Sequence, residues 1–442
     1  MLNPRFIMLQ RILGFLQGAL GRSAIFNNIG WLLADKFFRI FLSLLVGLWV
    51  ARFLGPEQFG DISYAQNFAL ILSAISGLGL DAVVLRELSR RESESFVILG
   101  SAFFLKGIGA LFVFAGLLSF VEFGGVVEGG GLVLIISLGM FFQGFGLVEV
   151  YFQSLVKSKY VVFFGFAAVL LSAVVKVFLI LIEADLLWFA VSYFFDIVVH
   201  AVSMLVCYRV VTGGSVLAWS PKLGEALSLV KDSWSLMVGG LSFVVFYSFD
   251  FLMIQSVFGG YEAGIYAAAF KFCVIWHFVP GVVINSFKPS VVRLVGTPEY
   301  QKRIELVTGI LLWFSIFVFL AAWVGADILI EVAYGQEYAQ AADLLRVMVF
   351  SNVFVFFFSC WNSWHIVEGK SRYVMVSNFL ATSIKLFLAF FFLEDFGLRG
   401  LVVFGILAIC LSFFLLSLND RKTFKLAVRA FLLPFRYAYA KG

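Results

Sequence analysis

Stretches of about twenty apolar residues, separated by short charged or Gly/Pro-containing breaks, run through this chain from residue 28 to residue 418. A helix needs about 20 such residues to cross a bilayer core, and inside lipid only helices and closed barrels satisfy their own backbone polar groups. Twelve runs qualify, with cores near 28–50, 59–81, 96–121, 131–153, 160–182, 186–208, 233–257, 263–287, 304–325, 343–366, 373–393 and 399–418. Composition agrees, with 62% hydrophobic and only 13% charged residues against about 25% charged in soluble domains. A water-soluble fold is excluded. The expected class is all-α integral membrane, with twelve transmembrane helices.

Orientation follows from the cations, which concentrate on the cytoplasmic side of bacterial membrane proteins. When the breaks are assigned to alternate sides, 23 of the 32 Lys and Arg residues fall on the side of the N-terminus. Only Arg52 and Arg399 fall on the other. Both termini of this multi-pass protein are therefore expected in the cytoplasm. Both ends also carry basic amphipathic stretches, 5–22 and 421–441, of the kind that lie in the interface against anionic lipid. The outer breaks are short and acidic, the longest near 326–342, which leaves little room for an extracytoplasmic catalytic domain. The longest internal connection divides the chain. The expected organisation is a basic segment 1–27, a six-helix bundle 28–208, a cytoplasmic linker 209–232, a second bundle 233–418 and a basic tail 419–442.

One segment recurs at an offset of 204. Gly55, Gly60, Ala65 and Phe68 of the first hairpin correspond to Gly259, Gly264, Ala269 and Phe272. Six helices separate the copies, so they share orientation, and the two bundles are expected to be related by pseudo-two-fold symmetry along the membrane normal. Transporters built this way place their substrate between the halves.

Seven cations remain inside the spans: Lys36, Arg39, Lys106, Lys176, Lys271, Arg346 and Lys385. Each costs about 2.5–3.5 kcal/mol at a helix centre on insertion scales, so each must snorkel, pair or face water. Arg346 has Asp343 beside it, and Lys176 is expected to reach an interface. Asp35, Lys36 and Arg39 cluster on one side of the first helix with one net positive charge. Intramembrane acids are Asp35, Asp61, Glu149, Asp196 and Asp250. Asp35, Asp61 and Asp250 are candidates for ion coupling or charge pairing. Asp61 also suits a helix cap, and Asp250 either couples a proton or sodium ion or pairs with another helix. A cavity of net positive charge at bilayer depth suits an anionic headgroup such as a phosphate or pyrophosphate.

Other chemistries find little support. The four cysteines and three histidines are scattered without metal-ligand or redox spacing, and no nucleotide-binding GxxxxGK[ST] loop occurs. Neither a metal nor another cofactor is expected, nor a nucleic-acid partner. Residues 1–24 lack the apolar core of a cleavable signal peptide.

The first hairpin, Ala51-Arg52-Phe53-Leu54-Gly55-Pro56-Glu57-Gln58-Phe59-Gly60 followed by Tyr64-Ala65, resembles that of the Wzx-type polysaccharide flippases. So do Gly77-Leu78-Gly79-Leu80-Asp81 with Leu85-Arg86-Glu87, and the Phe258-Gly259 to Gly264-Ile265-Tyr266 turn. These flippases share a superfamily with the MATE multidrug exporters and the lipid II flippases. The resemblance implies a central cavity lined by helices 1, 2, 7 and 8. It implies that an undecaprenyl-pyrophosphate-linked oligosaccharide, such as an O-antigen unit of lipopolysaccharide, moves from the cytoplasmic to the periplasmic leaflet by alternating access coupled to an ion gradient. Lys36, Arg39 and Lys271 then become candidate headgroup ligands, with Arg52, Gly55, Pro56 and Gly60 forming the hairpin motif. Expected partners are the lipid-linked glycan and membrane lipids, with a polysaccharide polymerase and chain-length proteins as candidates. The alternatives are a MATE-like multidrug/ion antiporter, a membrane enzyme of polysaccharide assembly and a nonenzymatic scaffold. Against these stand the excess of intramembrane cations, the short outer breaks and the cost of burying charge, respectively.

Overall fold

The computed structural model describes residues 24–123, 129–292, 294–295 and 297–417. Most of the expected basic segment 1–27 and all of the tail 419–442 lie outside the described residues. Among the described residues there is no strand. The chain forms α1 (Ala24–Ser76), α2 (Leu80–Arg90), α3 (Ser95–Glu122), and then α4 (Gly130–Ser137) and α5 (Leu147–Ser154) joined by a 3-10 stretch. It continues as α6 (Ser158–Leu181), α7 (Leu186–Thr212), α8 (Leu223–Phe258), α9 (Gly260–Val274) and α10 (Phe278–Val292). The last helices are α11 (Pro298–Tyr334), α12 (Ala341–Val367) and α13 (Ser371–Ser417).

Nine helices among the described residues are long and apolar enough to cross a membrane, or ten with the bent pair Phe41–Ser76 and Leu80–Arg90 taken as one span. Two helices are too long for a single crossing. An unbroken α1 of 53 residues would extend about 80 Å at about 1.5 Å per residue. It is interrupted at Gly55 (φ 70°, ψ 172°), and the 47-residue α13 is interrupted at Gly397 (φ 58°, ψ −160°). This backbone region is open essentially to glycine alone. A count of twelve requires each of these helices to be a pair of spans.

The connection at the middle of the chain is shorter than the expected 209–232. Helix α7 continues to Thr212 and α8 begins at Leu223. Residues 223–232 are amphipathic, with Ala226 and Leu229 buried around the charges Glu225, Lys231 and Asp232. Those charges end the apolar run without ending the helix.

The main core joins both halves of the chain and includes Val50, Ala51, Phe59, Ile62, Ala65, Ile254, Ala268, Ala269 and Tyr338. Helix α9 is almost wholly enclosed, and its Ala267, Ala268 and Ala269 let it lie close along α1. Small residues permit such approach where lipid offers no hydrophobic drive of its own. At the hairpins the approach is extreme. A Cβ on Gly60 would lie 1.8 Å from the Gly260 carbonyl oxygen, and one on Gly264 would lie 1.8 Å from that of Pro56. The repeated glycines therefore touch each other's hairpins reciprocally. Gly259 (φ 86°, ψ −177°) also shares the conformation of its counterpart Gly55. Nearby, Tyr338 Oη donates to the Ala51 carbonyl at 2.7 Å. Gln255 Nε2 donates to Asp61 Oδ1 at 2.8 Å.

At the opposite end, α2 and α3 grip the start of α8. Arg86 pairs with Asp232, and Arg91 makes a two-pronged contact with Glu225 at 2.6 and 3.2 Å while also holding Glu87 and Glu94. Hydrogen bonding to Glu225 raises the Arg91 pKa above its ordinary value. Ser101 Oγ bonds both the amide and the carbonyl of Lys222.

Candidate functional site

Three helices of the first half and one of the second line a cavity of about 500 Å³. Helix α1 contributes Arg39, Ser43, Gly47 and Gln66; α6 contributes Ser172 and Lys176; α7 contributes Tyr193, Asp196 and His200; and α9 contributes Lys271. Each cation reaches the cavity because its surroundings make room for it. A Cβ on Gly165 would lie 2.2 Å from Arg39 Nη2, and one on Gly47 would lie 3.0 Å from Lys271 Nζ. Lys271 Nζ stands 4.4 Å from the centre of the Phe59 ring, and Lys176 Nζ stands 4.7 Å from that of Tyr193. An aromatic face stabilises a desolvated cation without neutralising it.

Among the described lining residues, cations outnumber carboxylates. Lys176 is paired with Asp196, whose other oxygen, Oδ1, is buried without a hydrogen-bond partner among the described residues. Glu149 pairs with His200 at 2.9 Å. No carboxylate among the described residues pairs with Lys271. Among the described lining residues are three cations, Arg39, Lys176 and Lys271, and one carboxylate, Asp196, a set that can hold an anion by charge-assisted hydrogen bonds. No group of three His, Cys, Asp or Glu residues among the described residues could hold a metal ion.

Of the candidate ligands, Arg39 and Lys271 meet in this cavity. The side chains of Asp35 and Lys36 lie outside the described residues. Asp61 lies elsewhere, at the glycine hairpins, five residues past Pro56. It accepts from Gln255 rather than capping a helix start. Asp250 is buried in the second half, where it accepts from Lys385 at 2.8 Å and from Tyr266. Arg52 is exposed, and Pro56 and Gly60 are buried in the hairpin contact. Gly55 is the break in α1.

The other cations assigned to the spans find partners. Arg346 binds Asp343 at 2.6 Å, as their spacing predicts, and also Asp327. Lys106 binds Asp81 at 2.6 Å. Lys176 departs from expectation, since it is 6% exposed and faces the cavity instead of snorkelling to an interface. A signal for this existed. Asp196 lies on the next helix across a short break, so an acid was available to hold Lys176 at depth.

A family model described as polysaccharide biosynthesis protein matches residues 25–287. The succinoglycan biosynthesis transport protein ExoT of Rhizobium meliloti (strain 1021) is 26% identical over 339 residues, covering 74% of this chain. The match spans 65% of that relative's own length. Among solved structures, the lipid II flippase MurJ in an inward closed conformation superposes with a TM-score of 0.70 at 13% identity, covering 92% of each chain. An outward-facing multidrug resistance MATE family transporter of the MOP superfamily gives 0.63 at 14% identity, covering 92% of this chain and 96% of its own. At these identities the structural likeness is one of fold. Each of these proteins is named as a transporter or flippase rather than as an enzyme.

Proposed function

Because this chain belongs to the polysaccharide biosynthesis protein family, we propose that it is a flippase carrying an undecaprenyl-pyrophosphate-linked oligosaccharide from the cytoplasmic to the periplasmic leaflet. The observation that carries this reading is the cavity of about 500 Å³ with Arg39, Lys176 and Lys271 on its walls. An anion must lose its hydration shell to enter the membrane, and fixed cations offset that loss. The lipid tail stays in the bilayer throughout. In this reading Arg39 and Lys271 hold the pyrophosphate, Lys36 assists, and Asp196 restrains Lys176 until the substrate arrives.

The protein works by alternating access between two six-helix bundles, 28–208 and 233–418, with twelve spans and both termini in the cytoplasm of the inner membrane. The hairpin contact at Gly60 and Gly264 closes the periplasmic side. The ion pairs of Arg86 and Arg91 close the cytoplasmic side. Asp250, held by Lys385 and Tyr266, is the candidate for coupling transport to an ion gradient. A polymerase and chain-length proteins take the flipped unit onward. The MATE-like fold serves a multidrug antiporter equally well, but a cavity with more cations than acids repels cationic drugs.

The test is to delete the gene and locate the lipid-linked glycan. Accumulation in the inner leaflet with loss of surface polysaccharide is expected. Unchanged surface glycan combined with lost drug resistance would refute flipping in favour of the antiporter.

A further inference from the structure

The second half contains a separate pocket of different chemistry. Phe243 and Tyr247 of α8, Phe358 and Asn362 of α12, and Asn378 and Thr382 of α13 line a space of about 60 Å³. No Asp, Glu, Lys, Arg or His side chain lines it. Asn362 Nδ2 donates to Asn378 Oδ1 at 3.1 Å, and Thr382 Oγ1 donates to backbone carbonyls at 2.8 and 2.9 Å. Asn362 Oδ1 is left buried, with no hydrogen-bond partner among the described residues.

An unsatisfied buried acceptor costs about 1–3 kcal/mol, so an occupant that donates a hydrogen bond is favoured. A lipid tail has no donor to offer. An anion would bring more acceptors to a site that already has one to spare, and a cation would find no carboxylate. A neutral ring with hydroxyl donors on its edge and C–H groups on its face meets both the amides and the aromatic rings. We propose that this pocket is a sugar subsite, which receives the edge of one pyranose ring of the glycan while the pyrophosphate occupies the cationic cavity.

The volume limits what enters. A site for one water needs about 10–15 Å³ of such space, so the pocket takes a few heavy atoms, a hydroxymethyl group with its neighbouring hydroxyls, rather than a whole ring. The position suits cargo arriving from the cytoplasm. Asn362 lies five residues before the end of α12 at Val367, and Asn378 lies seven after the start of α13 at Ser371. Both are therefore within about 11 Å of a turn, at about 1.5 Å per residue. That turn carries Lys370 and Arg372, which mark its side as cytoplasmic.

This inference rests on the flippase reading, and two lipids separate the two. Full-length protein in nanodiscs is titrated with sugar-free undecaprenyl pyrophosphate and with the host's purified undecaprenyl-pyrophosphate-linked glycan. The wild type is expected to bind the glycan lipid more tightly. Asn362→Leu and Asn378→Leu should each weaken binding of the glycan lipid about 10-fold while leaving the sugar-free lipid unchanged, which also shows that the variants are folded. Phe358→Leu, which removes a ring without touching an amide, should act in the same direction. Equal weakening for both lipids, or none for the glycan lipid, overturns the sugar subsite. A wild type that binds neither lipid overturns the flippase reading itself.

Discussion

Replacing Gly264 with alanine should hold the periplasmic side open. The added Cβ would sit 1.8 Å from the Pro56 carbonyl oxygen, whereas ordinary contact begins at 3.4 Å. The two backbones must therefore part by about 1.6 Å, because the obstacle is a carbonyl group that cannot rotate away as a side chain would. Overpacking of this kind costs about 1–3 kcal/mol, which lowers the population of the closed form roughly 5- to 150-fold. Gly60→Ala meets the Gly260 carbonyl at the same 1.8 Å and should have the same effect. The double variant should cost clearly less than the sum, since the first substitution already separates the surfaces that the second would strain.

The reporter is a cysteine at Ala51, which is fully buried and whose carbonyl accepts the Tyr338 hydroxyl. With the four native cysteines replaced, Ala51→Cys should resist an impermeant maleimide applied from outside, and Gly264→Ala should make it react several-fold faster. Glycan export should fall while protein level holds. Unchanged labelling and unchanged export would refute the reasoning, because they would mean that α1 and α9 do not approach this closely in the membrane.

Three further outcomes follow from the same geometry. Gly165→Ala should push the Arg39 guanidinium out of its place, where the new Cβ would lie 2.2 Å from Nη2, and so raise the substrate concentration needed for half-maximal flipping in proteoliposomes. A wild-type value would show that Arg39 does not bind the headgroup. Lys385→Met leaves Asp250 buried without its ion-pair partner, and breaking such a pair costs about 3–5 kcal/mol. The Lys385→Met/Asp250→Leu double variant should regain much of that loss in a thermal unfolding measurement, and failure to do so would argue against a buried ion pair. Arg91→Gln and Glu225→Gln should each reduce transport, the double variant should lose little more than Arg91→Gln alone because both changes remove the same ion pair, and the neutral variants should respond less to added salt than the wild type does. Fully additive losses would remove the contact from the cytoplasmic closure.

Features set along the chain were legible in the sequence, whereas features set between helices were not. The apolar runs fall on the long apolar helices found among the described residues, because lipid imposes length and apolarity on each segment separately. The repeated hairpin was marked by its glycines, and Gly55 and Gly259 do share a glycine-only conformation. Arg346 and Asp343 are three residues apart on one helix, so their pairing could be read directly. Lys385 and Asp250, by contrast, are 135 residues apart, and Gln255 and Asp61 are 194 apart. Hydropathy reports that a charge is buried but gives no direction around the helix. For that reason the partners of Lys385 and Asp61 could not be assigned from the sequence, and the uncharged pocket at Asn362 left no mark at all.

The reciprocal contact at the hairpins also bears on ancestry. Two surfaces that each touch the other's counterpart are what a two-fold axis between identical chains produces. One polypeptide that carries both hairpins keeps that contact and leaves the rest of each half free to differ. At the offset of 204, Asp61 corresponds to Ile265, Gln66 to Phe270 and Asn67 to Lys271. A pair of identical half-length chains would have to place a lysine at both positions or at neither. A single chain is free of that constraint, so Lys271 lines the cavity while its counterpart Asn67 donates to the Ser63 carbonyl.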